Sequence, residues 1–231
     1  MGVYENLIDI QKKIAKAVEK SGRQPGEITL IGVTKTIDEE RIRELLNCGV
    51  VDLGENRVQE LLQKYDRLAN YNILPSWHLI GHLQTNKVKY IIDKVTMIHS
   101  VDSIKLAEEI NRRAKNIDRC QDVLIEVNMA GEESKFGIEP KDVYRFSDEL
   151  SKYTNISLKG LMTVAPFVDD GEENREIFQK MRYLLIDITE KMSNNVKTQL
   201  SMGMTNDYEV AIEEGATMIR VGTGLFGARN D

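Results

Sequence analysis

Leu30-Ile31-Gly32-Val33-Thr34-Lys35-Thr36 is an apolar, β-branched run that ends abruptly in a cation. Such a run reads as a strand buried on both faces, as the strands of parallel sheets are. Lysine is mostly exposed in folded proteins, so on its own Lys35 reads as the first solvated residue beyond the strand. The chain on either side of it changes that reading.

Upstream, residues 4–20 space Leu7, Ile8, Ile10, Ile14, Ala17 and Val18 as one face of an amphipathic helix, which Ser21-Gly22 and Gly26 end. Downstream, Asp38-Glu39-Glu40 opens a second helix with acids where the helix dipole favours them. The same grammar then repeats: a short apolar run, a polar or glycine-bearing turn, a helix. Runs at 50–53, 77–80, 95–99, 123–127, 156–164, 198–202 and 218–221 follow the one at 28–34, which makes eight units. Parallel strands need crossover helices, so this alternation predicts a parallel sheet. Eight units fit one (β/α)8 TIM barrel, with an extra N-terminal helix, better than an open doubly wound sheet. No Pro/Gly/Ser-rich linker divides the chain, and residues 1–231 are expected to form a single domain.

In such a barrel the chemistry sits in the loops that follow the strands. Lys35, Glu55-Asn56, Gly81-His82, the loop at 128–137, Thr163, Ser201–Met204 and Gly222-Thr223 are therefore expected to face one mouth. Gly222-Thr-Gly-Leu-Phe-Gly227 has the spacing of a dinucleotide-binding turn, but the second strand and the ribose-binding acid of that motif have no room before Asp231. What remains is a glycine-bearing loop whose N–H groups can cradle a phosphate. Arg220, at the end of the last strand, needs an anionic or acceptor partner there, either a ligand or a neighbouring acid. A lysine amine on one side and a phosphate cradle on the other suit a ligand with both a carbonyl and a phosphate. Pyridoxal 5′-phosphate carries both; sugar and triose phosphates suit the same site.

Other features narrow the field. A net charge of −6 argues against a nucleic-acid or anionic-membrane binder. No stretch approaches the roughly 18 apolar residues of a membrane span, and the N-terminus lacks the apolar core of a secretion signal, so a cytoplasmic protein is expected. His78 and His82 have metal-pair spacing only on a helix; on a strand and its loop that spacing predicts no metal site. His99 is read as a core histidine, and Glu132, Glu133 and Lys135 as a solvated loop. Cys48 and Cys120, far apart in sequence, are read as reduced helix-end packing residues.

The chain resembles the pyridoxal phosphate homeostasis proteins, which are related to the N-terminal barrel domain of alanine racemase, the type III fold of pyridoxal phosphate proteins. The resemblance runs over almost the whole sequence. It is carried by Gly32-Val-Thr-Lys35, Gly54-Glu-Asn-Arg-Val-Gln-Glu60, Trp77-His-Leu-Ile-Gly-His-Leu-Gln-Thr-Asn-Lys87, Gly160-Leu-Met-Thr163, Leu200-Ser-Met-Gly-Met204 and Arg220-Val-Gly-Thr223. The resemblance implies that Lys35 holds pyridoxal 5′-phosphate as a Schiff base, that Ser201, Gly222 and Thr223 hold its phosphate, and that Arg220 faces the pyridine nitrogen. An arginine there disfavours protonation of that nitrogen and weakens the electron sink. Asn56, His82 and Met202 match positions that line the family's pocket. Leu53 stands where an aromatic is more usual, and Thr205 where serine is common.

Racemases of this relationship add a tyrosine base from a separate C-terminal domain, for which this sequence has no counterpart before Asp231. The implied function is a monomeric carrier that buffers this form of vitamin B6 or delivers it to apoenzymes, not a turnover enzyme. The alternative is a racemase-like enzyme with Lys35 as base.

Overall fold

The computed structural model describes residues 2–24, 26–132, 136–191 and 199–227. Eight parallel strands close into one barrel in sequence order, β8 returning to pair with β1. The strands are β1 (Thr29–Val33), β2 (Asp52–Glu55), β3 (Ser76–Leu79), β4 (Val95–Val101), β5 (Gln121–Glu126), β6 (Ile156–Met162), β7 (Gln199–Ser201) and β8 (Met218–Val221). The connecting helices are α2 (Glu39–Asn47), α3 (Val58–Ala69), α4 (Val88–Ile91), α5 (Ile104–Lys115), α6 (Val143–Ser151), α7 (Arg175–Lys191) and α8 (Tyr208–Glu213). The extra helix α1 (Val3–Lys20) buries Val3, Leu7, Ile10, Ala17 and Val18, and a single turn α9 (Thr223–Phe226) follows β8.

Side chains alternate across each strand, which gives the barrel two cores. Trp77, Leu79, Val123, Ile125, Ile219 and Val221 point outward into the layer beneath the helices, where Leu45, Leu61, Ile110 and Phe178 meet them. Each such residue contributes about 1.5–3 kcal/mol by leaving water. Ile31, Met97, Leu124, Met162 and Met218 point inward as a smaller apolar cluster. Local signals start the helices: Asp38 caps α2 by accepting the Arg41 N–H at 3.0 Å, and Ser103 caps α5.

Some boundaries differ from the sequence expectation. The run at 50–53 becomes a strand only from Asp52, because Gly49 at φ +90° turns the chain and leaves Val51 exposed before pairing begins. β4 runs past His99 to Val101, and β6 stops at Met162, two residues short of Val164. The run expected from Thr198 begins within a segment outside the described residues. Cys48 ends α2 and packs on the core, whereas Cys120 is exposed in the turn before β5, so it is not a packing residue. Glu133 and Lys135 lie outside the described residues.

Candidate functional site

At the C-terminal mouth of the barrel, Lys35, Asn56, Arg220, Gly222 and Thr223 line one cavity of about 530 Å³, together with Ile80, Met204, Thr205, Asp207 and the 164–168 loop. Three neighbouring strand ends supply the first group: β2, β1 and, beside β1, β8 with the turn after it. Gly81 lets the β3 loop lie against Asn56, because a Cβ there would come within 2.5 Å of the Asn56 carbonyl. Gly203 adopts φ +90° where a Cβ would meet Ala211 and Tyr208, and its carbonyl accepts the Arg220 N–H. A larger cavity of about 720 Å³ lies at the opposite end, between α1 and the barrel base. Among the described residues its lining holds no lysine.

Lys35 is half-buried two residues past β1, and its ammonium group has no hydrogen bond or ion pair among the described residues. The turn that presents it is braced from below. Lys64, on α3, donates to the Thr34 carbonyl, to Glu55 at 2.6 Å and to Glu60 at 2.8 Å. Glu60 accepts the Thr36 N–H at 2.5 Å, and Glu55 accepts the Thr34 hydroxyl at 2.6 Å. Burial pushes the Glu55 carboxyl up against the pull of Lys64. Burial acts on Glu60 too, yet Lys64 and the Thr36 N–H outweigh it and hold that carboxyl low.

Arg220 is buried beneath the opposite side of the cavity, donating to Ser201 Oγ at 2.7 Å and to the Thr163 carbonyl at 2.8 Å. Burial draws its guanidinium down to about 10, against the attraction of Asp207 and Glu126, and it stays charged at neutral pH. Glu126 ends β5 inside the barrel, and among the described residues nothing hydrogen-bonds its carboxyl oxygen Oε2. Burial raises it to about 7, the nearby Asp102 adds to the rise, and Arg220 opposes it. On the rim, His82 lies 3.4 Å from Asp102 and stacks on Phe136 with ring centroids 3.8 Å apart. Among the described residues, no three His, Cys, Asp or Glu side chains group as metal ligands.

The cavity thus gathers six of the residues expected at the mouth, Met204 among them. Ser201 lies directly beneath them, with its hydroxyl engaged by Arg220 and His99. Met202, next along the chain, points the other way into the outer core, and His82 sits on the rim outside the lining. Sequence reasoning passed over Glu126, Asp102 and the 164–168 loop; strand parity alone places Glu126 inward, two residues after Leu124.

A family model described as the alanine racemase N-terminal domain matches residues 7–230. A pyridoxal phosphate homeostasis protein of Aquifex aeolicus is 46% identical over 229 residues, 99% of this chain and 99% of that one. Another, from Escherichia coli, is 31% identical over 229 residues, 99% of this chain and 97% of its relative. The chain belongs to the pyridoxal phosphate homeostasis protein family. A solved structure of PipY from Synechococcus elongatus, with PLP bound, has a TM-score of 0.84 at 32% identity, covering 97% of this chain and 100% of PipY. An alanine racemase of Clostridium difficile has a TM-score of 0.72 at 18% identity, and the chain covers 57% of it; at that identity the likeness shows the fold alone. The end of β7 divides the Ser201-Met202 pair: Ser201, its last residue, turns its side chain to the barrel interior, and Met202 just beyond it turns to the outer core.

Proposed function

We propose that this chain binds pyridoxal 5′-phosphate in the mouth cavity and carries it for other proteins in the cytoplasm, as a single-domain monomer that does not turn over a substrate. One observation carries the reading: a lysine amine with no partner among the described residues and a buried arginine face one cavity of about 530 Å³ that ends in a glycine-bearing loop. That volume is in the range of cofactor pockets. The full-length likeness to proteins named for pyridoxal phosphate homeostasis, and to a PLP-bound structure, supports the same ligand.

The cofactor supplies an aldehyde that an uncharged amine captures reversibly and covalently. The chain's residues divide the rest. Lys35 anchors the cofactor, and Arg220 lies under the cavity to meet the pyridine nitrogen. Gly222 and Thr223 offer their turn to the phosphate, and Ser201 supports the site from beneath through the Arg220 guanidinium it holds. Asn56 flanks the ring, while His82 and Met202 shape the rim and the packing beneath. Recipient apoenzymes are the partners this reading implies.

The racemase-like reading has Lys35 in its favour. Against it, Asp207, the carboxylate of the lining among the described residues, already accepts from Met204 N–H at 2.6 Å and Asn174 at 2.9 Å, so both its oxygens are engaged. The test is an absorption spectrum on adding pyridoxal phosphate, followed by borohydride reduction and peptide mapping. A label on Lys35, absent from Lys35→Ala, is the expected outcome. A label elsewhere, or amino-acid racemisation at ordinary enzymatic rates, overturns the proposal.

A further inference from the structure

Beneath Arg220 a line of hydrogen bonds runs down the inside of the barrel to its other end. Ser201 Oγ, which accepts from Arg220, lies 3.0 Å from His99 Nδ1. His99 Nε2 lies 2.9 Å from His78 Nδ1, and His78 Nε2 lies 3.0 Å from the Asp52 carboxylate. Ser201, His99 and His78 are buried, whereas Asp52, at the start of β2, borders the cavity at the barrel base. The line joins β8, β7, β4, β3 and β2, so it crosses the interior from the cofactor end to the opposite end.

Its two ends dictate its direction. A guanidinium can only donate and a carboxylate can only accept. With both imidazoles neutral and one proton in each link, one arrangement remains: the Ser201 hydroxyl donates to His99 Nδ1, His99 donates from Nε2 to His78 Nδ1, and His78 donates from Nε2 to Asp52. Each ring then carries its proton on Nε2. Burial holds His99 well below its ordinary value, and a positive charge beside it, on Arg220 or on a protonated His78, pushes the same way. The arrangement matters for Arg220 because no carboxylate pairs with it within 4.0 Å among the described residues; its side-chain acceptors are Ser201 Oγ and the Thr163 carbonyl. A hydroxyl that donates into a chain ending on a carboxylate is a stronger acceptor for its own donor, since linked hydrogen bonds polarise one another.

We propose that His99, His78 and Asp52 are positioning residues of the cofactor site, transmitting the Asp52 charge through Ser201 to hold the Arg220 guanidinium under the cavity. The line exists in the chain alone; its effect on the cofactor rests on the carrier reading above. Three histidines make the test simple. In apoprotein labelled with ¹⁵N-histidine, His78 and His99 give the neutral Nε2–H pattern at pH 7. Asp52→Asn puts an amide, which can donate as well as accept, at the far end of the line. The single tautomer of His78 is then lost, the Arg220 guanidinium resonance moves, and pyridoxal phosphate binds about 10-fold more weakly with a shifted absorption band. His78→Gln gives the same Arg220 shift by cutting the line one step nearer.

An Nδ1–H or doubly protonated His78 or His99 in the apoprotein overturns the proposal. So does an Arg220 resonance that neither variant moves, or a cofactor spectrum and affinity unchanged in both. If wild-type protein takes up no pyridoxal phosphate, the carrier reading fails, and the histidine and Arg220 signals of the apoprotein still decide whether the line positions Arg220.

Discussion

Glu55 and Glu126 hold matching places, the last residues of β2 and β5, and the protein resolves their charges in opposite ways. Glu55 points outward to α3, where Lys64 pairs with it and the Thr34 hydroxyl completes its hydrogen bonding on Oε1. Glu126 points inward, beside Asp102 and Arg220, and is pushed up to about 7. The same contrast divides two lysines, since among the described residues Lys64 is spent on three acceptors and Lys35 on none. Glu55 and Lys64, facing the helix layer, answer each other, whereas Lys35 and Glu126 are left for a ligand or a proton. A buried group without a partner is costly, so its survival points to use.

The most direct way to break this contrast is to strip Glu55 of its cation. Lys64→Met is expected to cost about 3 kcal/mol of stability, because a buried carboxylate loses its counter-charge. The cost grows as pH rises, since the Glu55 carboxyl, already raised by burial, goes up further without Lys64 and must ionise uncompensated. Lys35→Met, a change of the same type 29 residues earlier (64 − 35 = 29), is expected to stay within about 0.5 kcal/mol. Urea unfolding at pH 5 and pH 8 checks both, and equal losses for the two lysines would erase the distinction.

On the inward side the change goes the other way. Glu126 rises from 4.5 to about 7 on folding, so the folded chain holds a proton there that the unfolded chain releases between those values. Its contribution to stability is complete below pH 4.5 and fades as pH climbs through 7, a loss of about 3 kcal/mol when fully ionised. Glu126→Gln keeps the shape and removes the titration. We expect wild-type and variant to unfold alike near pH 4.5, and the variant to be more stable at pH 8 by up to about that amount. Parallel stability curves across that range would mean that Glu126 is solvated or paired after all.

Strand-and-helix grammar carried the barrel, and the strand-end rule placed Lys35, Asn56, Arg220, Gly222 and Thr223 around one cavity, because both depend on local periodicity and on a closed sheet. Met202 shows the limit of reading motifs as blocks. Once Ser201 points inward, its neighbour must point outward, and strand parity would have separated them. The histidine line was not legible as a line. His78 and His99 are 21 residues apart, and hydropathy marks a polar residue in a strand without telling what it meets across a barrel. The Lys64 brace was equally hidden, since a lysine on an amphipathic helix reads as solvated.

The smallest effect tests whether the brace under Lys35 also strains it. Thr36 adopts φ +64°, a left-handed conformation that a β-branched residue takes at a cost of about 1–3 kcal/mol. Two bonds hold it there: its N–H donates to Glu60, and its hydroxyl donates to the Lys35 carbonyl at 2.6 Å. Thr36→Gly releases the strain but adds freedom to the unfolded chain, about 0.5–1 kcal/mol in the other direction. The net expectation is a gain of about 1 kcal/mol in stability, with weaker pyridoxal phosphate capture because Lys35 sits on a looser turn. Thr36→Ala separates the two causes, since it keeps a Cβ and so keeps the strain while losing the hydroxyl. If Thr36→Gly gains stability and Lys35 is labelled as readily as before, the strained turn is incidental, and Lys64 with its two glutamates fixes the chain without aiming the amine.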